Sequence, residues 1–94
     1  MRVYISGPIT GIDDYVAIFQ SYVSLLCSKG YDVVNPASVE GPDWTWEQFM
    51  QYDLALLREC DGIYMLPGWT NSRGARIEKR YAKRKGIPVL NEGR

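Results

Sequence analysis

Ninety-four residues, 46% hydrophobic and 23% charged, with nine Gly and five Pro, describe one small globular domain spanning 1–94. They exclude disordered, collagenous and low-complexity classes. The formal net charge is zero and histidine is absent, which excludes a Ser-His-Asp or Cys-His nucleophile, a His-ligated zinc and a His general base. The longest apolar stretch falls far short of the roughly 20 residues of a membrane span, and Met1-Arg2-Val3-Tyr4 has no signal-peptide pattern. Cys27 and Cys60 form neither a metal-ligand spacing nor a disulfide framework. The expectation is a cytoplasmic chain without membrane association.

Val3-Tyr4-Ile5-Ser6 reads as a strand stopped by Gly7-Pro8. From about Asp13 to Lys29, Phe19, Tyr22, Val23 and Leu26 recur at helical spacing, with Asp13 or Asp14 as N-cap and Gly30 as the stop. Residues 31–35 give a second strand, ended by Pro36, and a loop runs from Ala37 to Trp44. Thr45-Trp46-Glu47-Gln48 has the capping-box pattern and opens a helix to about Glu59. Residues 61–66 form a third strand, Ser72 caps a helix from about Arg73 to Lys85, and Ile87–Leu90 is a short last strand. Such alternation predicts an α/β fold: a small, doubly wound, flavodoxin-like parallel sheet of four strands in the order 2-1-3-4, with three helices. Ligands of such sheets bind beyond the carboxyl ends of the strands, at the switch point between the first and third. The loops to watch are 7–12 and 67–72.

Ser6-Gly7-Pro8-Ile9-Thr10-Gly11 offers two hydroxyls and close backbone approach ahead of a helix, the makings of an anion site. An ordinary tight turn explains it as well. Ser72, with Gly74 in the same helical turn, offers a hydroxyl beside free amides, a role compatible with plain capping. Two carboxylates stand where the pattern wants apolar residues. Asp53 lies four after Phe49 and four before Leu57; Glu78 lies three after Ala75 and four before Ala82. A buried carboxylate is paired or functional. The plain alternatives are a structural hydrogen bond from Asp53 to a loop amide and an exposed ion pair of Glu78 with Lys79. Six helical residues span about 9 Å, so an anion at Ser72 would suit a sugar phosphate whose anomeric carbon faces Glu78. Paired carboxylates without metal or histidine are the tools of glycosidic-bond chemistry.

Residues 3–11, Asp53-Leu54 ahead of Cys60-Asp61, and Asn71-Ser72-Arg73-Gly74-Ala75-Arg76-Ile77-Glu78 together resemble the nucleoside 2-deoxyribosyltransferase-like superfamily, nearest to a short, often phage-encoded branch. The resemblance covers almost the whole chain. It implies Glu78 as the nucleophile that attacks C1′ of a deoxyribose, Tyr4 as the phenol that orients Glu78, and Asp53 as the carboxylate that protonates or holds the leaving base. Six residues before the nucleophile the transferases usually carry an Asp that binds a free sugar hydroxyl. Ser72 stands there instead and resembles the deoxynucleoside 5′-monophosphate N-hydrolases, whose Ser binds phosphate. Arg80 occupies a position where relatives commonly have Gly.

The reading that follows is an N-glycosidase of 2′-deoxynucleoside 5′-monophosphates, hydrolysing the bond or transferring the deoxyribosyl group. Its substrate-binding residues are Ser6, Gly7, Ile9, Thr10, Gly11, Ser72 and Gly74. The alternative is a catalytically inactive nucleotide-binding module. No metal or organic cofactor is implied. Residues 1–72 carry three basic and nine acidic side chains, whereas 73–94 carry eight basic and two acidic. With no net positive charge, a solvated face near an anionic ligand is favoured over a nucleic-acid footprint. Small size and the aromatic loops around Trp44, Trp46 and Trp69 predict a homo-oligomer, a dimer or higher.

Overall fold

The computed structural model describes residues 1–38 and 43–91. The expected loop from Ala37 to Trp44 therefore lies partly outside the described residues. Three parallel strands, β1 (Arg2–Ser6), β2 (Asp32–Val34) and β3 (Gly62–Met65), form a sheet in the order β2-β1-β3. Val3 pairs with Val33 on one side, and Tyr4 with Ile63 on the other.

The last predicted strand shrinks to a single parallel bridge, Ile63 to Val89, at the position expected for a fourth strand. Ile63 N donates to Pro88 O and Leu90 N donates to Ile63 O, so Pro88 faces β3 without an N–H to extend the ladder. Downstream, Met65 N donates to Asn91 Oδ1 at 2.8 Å and Asn91 Nδ2 donates to Met65 O at 2.9 Å. A side-chain amide replaces the next rung.

Helices α1 (Tyr15–Ser28), α2 (Trp46–Arg58) and α3 (Arg73–Arg84) complete the fold, with single 3₁₀ turns at Pro36–Ser38 and Trp69–Asn71. Asp14 holds the N-cap position of α1 but its side chain caps no amide. The capping box of α2 is complete: Thr45 Oγ1 accepts from Gln48 N, and Gln48 Oε1 accepts from Thr45 N.

The period of two along β1 assigns its side chains to opposite layers. Val3 and Ile5 pack with Phe19, Leu26 and Leu66 under α1. Tyr4 packs with Ile63, Met65, Leu57, Ala75 and Ala82 under α2 and α3. Tyr4 and Ser6 thus share the face that α3 covers. Among the described residues no helix is long and apolar enough to cross a membrane.

Where β1 and β3 end side by side, Leu66 N donates to Ser6 O. A Cβ on Gly7 would stand 2.7 Å from Leu66 Cβ. Gly7→Ala is expected to destabilise the fold by about 1–3 kcal/mol, the usual range for overpacking. The check is a lower denaturant midpoint at unchanged slope.

Candidate active site

All three strands deliver their carboxyl ends to one cleft of about 750 Å³, the edge at which parallel sheets bind ligands. Gly7, Pro8, Ile9 and Thr10 enter after β1, Pro36 and Ala37 after β2, and Asn71 to Ala75 after β3. The remaining wall is α2, where Trp46, Phe49, Met50 and Asp53 line the cleft at helical spacing. Glu78 reaches the same cleft from the second turn of α3.

Glu78 is 5% exposed and held at both oxygens. Tyr4 Oη donates to Oε2 at 2.6 Å and Ser6 Oγ donates to Oε1 at 2.5 Å. Both donors are fully buried behind the carboxylate, so neither lines the cleft. Burial raises the Glu78 pKa to about 7. The bonds from Ser6 and Tyr4 work against that rise by favouring the ionised form, while the charge of Asp53 adds to it. Burial, followed by the charges of Glu78 and Asp53, holds the Tyr4 phenol well above its ordinary value, so it stays a donor.

Asp53 is 8% exposed, and burial lifts its carboxyl to about 7. Its Oδ1 is buried without a hydrogen-bond partner among the described residues. The structural bond considered for Asp53 is thus not made by that oxygen, and Glu78 is buried on Tyr4 and Ser6 rather than paired at the surface. An orphaned buried oxygen is costly, and here it belongs to a residue of the cleft wall.

Ser72 caps α3 by accepting from Ala75 N at 3.2 Å and also lines the cleft, as does Gly74. Gly11, with φ of +80°, closes the turn after Thr10 and stands outside the lining. Among the described residues no group of three His, Cys, Asp or Glu side chains could hold a metal ion. The two cysteines are free, Cys27 exposed and Cys60 buried.

A family model described as a domain of unknown function, DUF4406, matches residues 1–91. The chain belongs to the DUF4406 family. No curated protein matches this DUF4406 chain. Among solved structures it is similar to a conserved protein from Enterococcus faecalis V583, at 23% identity and a TM-score of 0.68. The match covers 95% of the DUF4406 chain and 60% of the other. At that identity the likeness concerns the fold.

Sequence reasoning did not assign to the site the aromatic wall of this DUF4406 cleft or the arginine at its mouth. Trp46, Phe49, Met50 and Asp53 fall at i, i+3, i+4 and i+7, a signal that was available. Arg73 lines the cleft and its guanidinium lies 4.5 Å over the Trp46 ring, a contact between α2 and α3 that no local spacing announces. The exposed Trp44 packs on Phe49 and Tyr52, with ring centroids 5.2 Å apart in each pair.

Proposed function

We propose that the cleft is the active site of an N-glycosidase acting on 2′-deoxynucleoside 5′-monophosphates, with Glu78 as nucleophile. One observation carries this reading: a buried carboxylate, fixed by two hydroxyl donors, shares a cleft with a second carboxyl whose pKa burial raises to about 7. The motif resemblance to the nucleoside 2-deoxyribosyltransferase-like superfamily supports it.

In the first step a Glu78 oxygen bonds to C1′ as the C1′–N bond breaks. The base leaves with the electron pair and takes the Asp53 proton, through an oxocarbenium-like transition state. In the second step water attacks C1′, its proton passes to the Asp53 carboxylate, and the ester oxygen returns to Glu78. A second base in place of water would give transfer. Tyr4 and Ser6 are positioning residues that hold Glu78 and favour its ionised form. Ser72 and the free amides at the start of α3 face the 5′-phosphate.

The test is chromatography of deoxynucleosides and their 5′-monophosphates incubated with the protein, scoring released base. Release from monophosphates well above that from nucleosides is the expected result. Ser72→Asp preserves a good N-cap but adds a negative charge a few ångströms from the phosphate. It is expected to cut monophosphate turnover tenfold or more while sparing nucleosides. Equal use of nucleosides and monophosphates would remove the phosphate role. No release at all, with nucleotides still raising the melting temperature, would replace the enzyme by the inactive nucleotide-binding module.

A further inference from the structure

We propose that the outer face of α3 is a phosphate track for a single-stranded polynucleotide, one nucleotide of which occupies the cleft. The inference rests on the nucleotide reading of the cleft and extends its substrate from monomer to strand. Arg73, Arg76, Arg80, Lys83 and Arg84 are all exposed. At 100° per residue they fall within about 100° of arc, opposite the buried Ala75, Glu78 and Ala82. The row is about 16 Å long at 1.5 Å per residue, room for successive phosphates.

A merely solvated helix face interleaves both signs, because like charges three and four apart repel. Here the only acid of the helix is Glu78, buried on the far side, and among the described residues the one ion pair joins Arg2 and Asp32. Nor does the helix dipole explain the row. It favours cations at Lys83 and Arg84 but disfavours them at Arg73 and Arg76, in a first turn that has no acidic residue.

The row is continuous with the cleft, since Arg73 lines it while stacking on Trp46. Lys79 Nζ lies 4.2 Å over the Trp69 ring beside the same strand end. Cations paired with indoles at a groove are the means by which proteins hold bases and backbone of single strands together. A rival occupant is the acidic surface of a second copy, given the acidic balance of residues 1–72. Continuity with the cleft and its indoles favours the polynucleotide. The basic balance of residues 73–94 is visible in the sequence; that five of its cations share one helix face continuous with the cleft is not.

The test is fluorescence anisotropy of a labelled oligothymidylate over a salt series. Wild type is expected to bind with a steep salt dependence, about −0.7 in log–log slope per phosphate neutralised. The triple variant Arg76→Gln, Arg80→Gln, Lys83→Gln is expected to bind at least tenfold more weakly, with a slope shallower by about 2. Its base release from monophosphates should be unchanged, because none of the three residues lines the cleft, and its melting temperature should not fall. Equal binding by the triple variant would overturn the track. So would a salt-sensitive dimer in equilibrium sedimentation that the triple variant loses, with no oligothymidylate bound by wild type. Strand binding through the track without base release from any nucleotide would sink the glycosidase reading and leave the track standing. Cleavage of monophosphates without strand binding would do the reverse.

Discussion

Glu78→Gln is expected to lower base release by about 10³-fold or more, the scale on which loss of a covalent nucleophile is felt, while nucleotide binding survives. The amide has nearly the carboxylate's shape, so Tyr4 keeps an acceptor at one position. It has no anionic oxygen with which to bond C1′. Single-turnover rate and nucleotide-induced rise in melting temperature, measured together, separate the two effects. A variant that loses affinity and turnover in parallel would show Glu78 to be a binding residue only. Tyr4→Phe sharpens the assignment. Its phenol bond lowers the Glu78 pKa against the lift from burial, so its removal should raise that pKa and move the acidic limb of the pH–rate profile upward. A smaller turnover with an unmoved limb would reduce Tyr4 to packing.

Local chemistry made much of this legible in advance. The capping box at Thr45, the cap at Ser72 and the apolar stripe of α1 announce helices through spacings of three and four residues. The parallel sheet follows from their alternation with strands. Asp53 and Glu78 stand out because each interrupts an apolar face, which only burial or function accounts for. What escaped depends on contacts between distant segments. Ser6 bonds Glu78 across 72 positions. The period of two places Ser6 with Tyr4 on the face under α3, but its hydroxyl alone reads equally as a loop ligand. The fourth strand failed for a local reason whose effect is non-local: Pro88 removes a donor from β3's neighbour, and Asn91 supplies the next rung from its side chain. The Arg73–Trp46 stack likewise exists only once α2 and α3 lie side by side.

Thermal stability is expected to fall as pH rises from about 4 to about 7, against the trend of proteins whose carboxylates are ion-paired. Asp53 titrates near 3.8 in an unfolded chain and near 7 in the fold because of burial. Between those values the folded protein keeps a proton that the unfolded chain has released, so each step up in pH favours unfolding by up to about 1.4 kcal/mol. The contribution is complete below pH 4 and is lost as pH rises through about 7; well above that both states are ionised and the slope disappears. For Asp53 the loss reaches at most about 4 kcal/mol. Glu78 acts in the same direction, from 4.5 to about 7, again chiefly through burial. Because the two charges oppose each other, the pair releases its protons in two coupled steps. At 4–8 °C per kcal/mol for a domain of this size, the melting temperature at pH 7.5 should lie at least about 10 °C below that at pH 5, the share of Asp53 alone. Asp53→Asn combined with Glu78→Gln removes both titrations and should flatten the dependence, leaving the variant more stable than wild type at pH 7.5. A wild-type melting temperature that is level or rises over this range would mean that both carboxyls are already ionised at pH 5. Asp53 would then hold no proton for a leaving base, and the two-carboxyl mechanism would lose its acid.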